Sequence, residues 1–259
     1  MEGPRILAFD IETYPDVRLI EAQGSNLESF RQELKRHTGS DFLPPIYHIP
    51  IAIAYLKIDP EFRELSAEVL TAAPDRESSL LESFWRNCDD LLGLAEGTPN
   101  RGLLVSFNGN EFDIPVLEVR ALKYALRGNV RARDSLFHFD VPFFLANYQH
   151  SRKRGLRLST LSKLTGLPGK ALLDGGQVQS RFESGGLDEI GRYCLLDVLE
   201  TYLLFLRCRL LCGMSSTAYE AANRSFALFL ATSHDRNIRE LSPYLEESLK
   251  TSADIGSFR

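Results

Sequence analysis

Arg5-Ile-Leu-Ala-Phe-Asp-Ile-Glu-Thr-Tyr-Pro15 stands at the head of the chain. Ile6 to Phe9 form an unbroken apolar run that ends in Asp10-Ile11-Glu12. A short run of this kind, stopped by a proline, reads as a strand buried on both faces. Side chains alternate along a strand, so Asp10 and Glu12 point to the same side. Their Cα atoms are then about 6.6 Å apart, two strand rises. Two carboxylates on one face of a buried strand repel, and one holds its proton unless a cation lies between them. Hard divalent ions such as Mg²⁺ or Mn²⁺ take oxygen ligands of this type. Two unrelated acids at a strand end would give the same letters, so the decision lies elsewhere in the chain.

Strands alternate with helices over most of the sequence. Ile49–Ile58 and Arg63–Leu70 read as a hairpin around Asp59-Pro60, and Leu103–Phe107 as a further buried strand. A short strand is expected within Ser135–Val141. Helices are expected at Ser78–Leu92, from Phe112-Asp113 through Leu126, near Phe143–His150, at Ser159–Thr165, Asp188–Leu211 and Ser216–Thr232. Residues 16–47 read as an insertion carrying one helix, broken by Pro44-Pro45. The stretch bounded by Gly175-Gly176 and Gly185-Gly186 reads as an irregular loop. These alternations predict an α/β fold with a mixed sheet and the first strand at its centre. One domain over residues 1–232 is expected, then a partly disordered tail over 233–259.

With 259 residues, 44% hydrophobic and 25% charged, the composition is that of a globular domain able to bury a sizeable core. The strongest apolar run, Leu203–Leu211, is broken by Arg207 and Arg209, which argues against a membrane span. Because the first strand begins almost at once, no signal peptide is expected. Cys88, Cys194, Cys208 and Cys212 form no C-x-x-C pair. They are expected as buried reduced thiols of a cytoplasmic protein, without zinc. The net charge is −5, yet Glu118 to Lys170 holds eleven Lys/Arg against three Asp/Glu. This stretch is either a basic face on an acidic protein or a solvated helix surface.

Two further segments carry acids in telling positions. Asp113 follows a strand at a helix start, where it serves as a helix cap or a site residue. Tyr193 and Asp197 sit at i and i+4 of a helix that is apolar nearly all round, so they share a face. A carboxylate there needs a partner: an Arg, a hydroxyl or a metal.

Asp10-x-Glu12, then Asn108 followed by Phe112-Asp113, then Tyr193-x-x-x-Asp197 resembles the DEDD superfamily of 3′-5′ exonucleases, the DnaQ-like group. The tyrosine four residues before the last Asp marks the DEDDy branch. The DEDDh branch has a histidine nearer that Asp, and no histidine lies between His150 and His234. Within the branch, Phe9–Pro15, Ser106–Asp113, Gly166–Lys170 and Tyr193–Val198 are similar to predicted exonucleases related to the proofreading domain of family B DNA polymerases. The resemblance covers roughly residues 4 to 212.

It implies a ribonuclease H-like fold, with a central mixed five-stranded sheet flanked by helices. It also implies a free-standing exonuclease releasing nucleoside monophosphates from single-stranded 3′ ends, of DNA more than RNA. Two Mg²⁺ or Mn²⁺ ions would be held by Asp10, Glu12, Asp113 and Asp197. Tyr193 would orient the attacking water, since a neutral phenol is a poor base at pH 7. Thr13 is a candidate contact for the terminal nucleotide, Asn108 either contacts substrate or holds the turn, and Phe112 either leans on a base or packs in the core. Asp140 either supports a metal ligand or caps the next helix. Arg152, Lys153, Arg154, Arg157 and Lys170 are candidates to steer the phosphate backbone. A catalytically silent nucleic-acid-binding module on the same fold is the alternative, and it would be expected to lack one of the four carboxylates.

Overall fold

The computed structural model describes residues 4–92, 102–129, 132, 137–147, 149, 155–169 and 175–256. The apolar run at the head of the chain forms β1 (Arg5–Pro15). It pairs antiparallel with β2 (His48–Ile58), which pairs antiparallel with β3 (Leu65–Thr71). On its other edge β1 runs parallel to β4 (Gly102–Ser106), and β4 runs parallel to β5 (His138–Asp140). The order β3-β2-β1-β4-β5 puts β1 in the middle. This is the central mixed five-stranded sheet, flanked by helices, that was expected.

Helices cover both faces. They are α1 (Val17–Glu21), α2 (Leu27–Thr38), α3 (Glu77–Leu92), α4 (Asp113–Lys123) and α5 (Val141–Leu145). There follow α6 (Leu158–Leu164), α7 (Val178–Glu183), α8 (Leu187–Leu211), α9 (Ser216–Thr232) and α10 (Arg236–Gly256). Among the described residues no helix is long and apolar enough to cross a membrane.

The alternation along β1 divides the interior in two. Ile6 and Ala8 join the core built on α8, whereas Leu7, Phe9 and Ile11 join the core that includes Leu81, Phe84 and Trp85 of α3 and Leu117 of α4. Asp10 and Glu12 have the parity of Ile6 and Ala8, so they emerge on the α8 side. Helix α8 comes close to the sheet at Gly191. A Cβ there would meet Val69 and Thr71 side-chain carbons at 2.9 Å each, so any larger residue would push the helix off β3.

Three segments differ from the sequence expectation. The insertion holds two helices, because Asp16 accepts from the Leu19 amide at 3.1 Å and starts α1 at once. The glycine-bounded stretch holds α7, whose Val178 is buried and whose Phe182 packs against the α8 core. The expected tail holds α10, which buries Ile238, Leu241 and Leu245. The fifth strand is shorter than expected and α5 begins earlier, at Val141.

One buried ion network ties the insertion to the α3–α4 layer. Arg120 on α4 binds Glu77 on α3 through two nitrogens and Asp16 through Nη1 at 2.6 Å. Lys123 and Tyr124 also reach Glu77, at 3.0 and 2.7 Å.

Candidate active site

β1 and α8 bring three acids together. Ligand oxygens of Asp10, Glu12 and Asp197 all lie within 4.8 Å of one another. Asp113 stands beside this triad rather than inside it. Its Oδ1 accepts from the Ile11 amide at 3.1 Å, in the middle of the Asp10-x-Glu12 segment. Asp113 does not cap α4, whose N-cap position is Phe112 and carries no side-chain cap.

The turn before Asp113 is held from two sides. Asn108 adopts a left-handed φ of +66°, and its carbonyl accepts from the Glu111 and Phe112 amides. Asp140 Oδ2 accepts from the Asn110 amide at 2.9 Å, while Oδ1 accepts from Phe143 at 3.2 Å and caps α5. Asp140 therefore caps a helix, and it also braces the loop carrying Asp113. Ser106 joins this support, hydrogen-bonded to His138 Nε2 at 2.7 Å and accepting from the Gly109 amide at 3.2 Å.

Burial and mutual repulsion act on these acids in one direction. Burial, then Asp113, Asp197 and Glu12, hold the Asp10 carboxyl well above the usual carboxylate range. Burial, with Asp140 and Asp197 adding to it, pushes Asp113 up to about 7 against the pull of the Ile11 amide. Such a cluster is frustrated when all its members are charged.

Tyr193, 4% exposed, lies one helical turn before Asp197 and hydrogen-bonds its carboxylate. Burial, then the charges of Asp197, Glu12 and Asp10, raise its phenol far above the ordinary value, so the hydroxyl stays neutral at physiological pH. The Cys194 thiol, on the next position of α8, donates to the Asp10 carbonyl at 3.3 Å and approaches Oδ2 at 3.6 Å. Cys88, Cys194 and Cys208 are buried free thiols, whereas Cys212 is exposed.

At the other side of the acids, Thr13 Oγ1 is 2.7 Å from His48 Nδ1. His48 Nε2 is 3.0 Å from the Leu43 carbonyl, which can only accept. The ring is therefore the Nε2–H tautomer, taking the threonine hydroxyl proton at Nδ1. Burial lowers the His48 pKa, in keeping with a neutral ring. Phe112 meets His48 edge-on at 4.8 Å, and Phe42 packs on Phe112 at 5.2 Å and on His48 at 5.3 Å. Phe42 remains 60% exposed, so these rings form an open aromatic shelf beside Thr13.

A cleft of about 220 Å³ opens along α8, lined by Tyr193, Asp197 and Glu200 together with Arg157 and Ser159. Arg157 is where a backbone-steering residue was expected. Arg152, Lys153, Arg154 and Lys170 lie outside the described residues. Arg120, counted in the basic stretch, fits neither reading offered for that stretch: it is buried and committed to Glu77 and Asp16. The sequence reading missed Phe42, His48 and Glu200. Only Glu200 left a local signal, an acid three residues after Asp197 on the same apolar helix.

Among solved structures, that of E. coli Exonuclease I in complex with a 5cy-dT13 oligonucleotide is similar at 15% identity and a TM-score of 0.38. The match covers 83% of this chain but 46% of that one, so the chain spans less than half the length of that protein. No curated protein matches. Residues 40–248 match the family described as predicted 3′-5′ exonuclease related to the exonuclease domain of PolB. The matched span includes Asp113, Tyr193 and Asp197 and begins beyond Asp10 and Glu12. The chain therefore belongs to the family of predicted 3′-5′ exonucleases related to the exonuclease domain of PolB.

Proposed function

We propose that this protein removes nucleoside monophosphates from the 3′ end of single-stranded nucleic acid, DNA in preference to RNA, by hydrolysis assisted by two divalent metal ions. The observation that carries the reading is the gathering of Asp10, Glu12 and Asp197 within 4.8 Å, with Tyr193 bonded to the last of them. The preference for DNA follows from the family's relation to a DNA polymerase domain.

The donor set fits hard divalent ions. It offers carboxylate oxygens only, and the pKa values of Asp10 and Asp113, raised by burial first and by neighbouring carboxylates after it, fit a site that a cation would relieve. Asp10, Glu12 and Asp197 would hold the ions, with Asp113 completing the set. Bound ions of this class stabilise the charge that builds on phosphoryl and leaving oxygens and make water more acidic.

The remaining roles belong to the chain itself. The neutral Tyr193 hydroxyl, held at Asp197, orients the attacking water without taking its proton. The Ile11 amide and the loop braced by Asp140 fix Asp113. Thr13 and the shelf of Phe112 and Phe42 receive the terminal nucleotide, its base lying against an aromatic ring as in other single-strand binders. Arg157, which lines the same cleft as Tyr193 and Asp197, attracts the strand's phosphates.

End-labelled single-stranded DNA and RNA, incubated side by side with Mg²⁺, Mn²⁺ or EDTA, test the reading. Stepwise loss of mononucleotides from the 3′ end, abolished by EDTA and faster on DNA, is the expected result. Release that persists in EDTA, or no release with any metal, would refute it.

A further inference from the structure

His48, the first residue of β2, is a buried imidazole with no part in the chemistry assigned so far. Both of its ring nitrogens have partners. Nδ1 is 2.7 Å from Thr13 Oγ1, and Nε2 is 3.0 Å from the Leu43 carbonyl. A carbonyl only accepts, so Nε2 carries the proton and Nδ1 presents a lone pair. The Thr13 hydroxyl gives its one proton to that lone pair. Its oxygen then meets any other group as an acceptor. Burial lowers the His48 pKa most, against the pull of the Leu43 carbonyl and with help from Arg31, so Nδ1 stays free of a proton at neutral pH.

The pair belongs to the site rather than to the core. Thr13 is half-buried and follows Glu12 directly. Glu12 pairs with Ala52 but Thr13 pairs with Pro50, which leaves Ile51 as an extra residue on β2 at this step. A bulge of this kind re-aims a side chain, and bulges are frequent next to active sites. The imidazole is also packed by Phe112 and Phe42, at 4.8 and 5.3 Å, the two rings of the shelf. Leu43 is buried, so the carbonyl that sets the tautomer is anchored.

We propose that His48 is a positioning residue for end recognition: by taking the Thr13 hydroxyl proton it fixes that oxygen as the acceptor for the 3′-hydroxyl of the terminal nucleotide. The assignment rests on the exonuclease reading and names the group that Thr13 recognises. Phosphodiester oxygens have no proton to donate, and the donors on the bases change from one nucleotide to the next. The 3′-hydroxyl is the donor present on every such DNA end. With the other tautomer the ring would donate to Thr13, and the threonine proton would face the strand instead.

Steady-state kinetics of the full chain on a short oligothymidylate, ending in a 3′-hydroxyl or in a 2′,3′-dideoxynucleotide, test this together with equilibrium binding of both. For the wild type the dideoxy end is expected to raise KM and weaken binding about three- to tenfold, the range for one hydrogen bond between neutral groups, with kcat much less affected. Thr13→Val should bind the two ends alike. His48→Asn keeps an oxygen acceptor near the place of Nδ1 and loses the ring, whereas His48→Phe keeps the ring and loses the acceptor. The difference between the two ends should therefore survive in His48→Asn and vanish in His48→Phe. A residue that merely packs would give the reverse order. Should a variant fail to fold, the imidazole ¹⁵N spectrum of the wild type reads the tautomer directly, with Nε2–H expected.

A wild type indifferent to the dideoxy end, a difference in His48→Phe as large as in His48→Asn, or an Nδ1–H tautomer would each overturn the assignment. A wild type that binds the strand but releases no nucleotide would instead sink the exonuclease reading, and the binding difference between the two ends would still decide the role of His48.

Discussion

Replacing Asp113 by Asn is expected to make the metal-free protein more stable while destroying its activity. Asp113 is 4% exposed, and its carboxyl is pushed from 3.8 up to about 7 by burial, Asp140 and Asp197. Because the folded-state value lies above the unfolded one, the group's contribution is fully present below about pH 4 and is lost as pH rises to about 7. Three units at 1.36 kcal/mol each amount to about 4 kcal/mol. Asparagine keeps a carbonyl oxygen for the Ile11 amide, fills nearly the same volume and does not titrate. In EDTA the variant should therefore exceed the wild type by about 2 kcal/mol at pH 5 and about 4 kcal/mol at pH 8. Urea denaturation at the two pH values measures both gaps. Adding Mn²⁺ at pH 8 should stabilise the wild type and narrow the difference, since the ion binds the folded carboxylates. A gap that is absent, or that does not grow between pH 5 and pH 8, would refute the view of Asp113 as a carboxylate held in place against its own electrostatics.

Two further outcomes follow from the site. Tyr193→Phe keeps the buried ring and loses the hydroxyl at Asp197, so kcat should fall about ten- to a thousandfold with the thermal midpoint nearly unchanged; turnover like the wild type would make the tyrosine a packing residue. Phe42→Ala removes a ring that is 60% exposed, so stability should hardly change, while loss of a stacked base should raise KM for single strands about 5- to 150-fold; an unchanged KM would detach the shelf from the substrate path.

The fold was legible wherever local pattern and packing agree. Ile6–Phe9 announces a strand apolar on both faces, and both cores do meet across it. Asp188–Leu211 announces a helix apolar all round, and α8 is buried along nearly its whole length. Failure came where one local signal misleads or the element is too short to show a period. Val178 and Phe182 are at i and i+4, but six helical residues between glycine pairs look like a loop. In α10 the stripe Ile238, Leu241, Leu245 was present, and Pro243 argued against it. That proline lies on the exposed side of the helix. Its cost is then offset by the three apolar residues buried on the other side.

The site divides along the same physical line. Asp10, Glu12, Tyr193 and Asp197 were legible because strand parity and helical spacing are properties of the chain itself. Asp113 was legible only in combination, since an acid at a helix start is common. Arg120 shows the limit of counting charges along a window. Its partner Glu77 is 43 residues away on α3, so the sum credits to the surface a cation that is wholly engaged inside. Phe42 and His48 were beyond reach for the same reason: their meaning comes from Phe112 and Thr13, brought to them by α4 and β1. What unites the legible acids is the cost they impose. β1 and α8 are apolar enough to fold with buried carboxylates facing one another, and a strand or helix that needed those positions for its own packing would not carry acids there. The burial that makes the elements readable therefore also raises the pKa values of Asp10 and Asp113, and leaves a site whose charge is relieved by a held proton or by a cation.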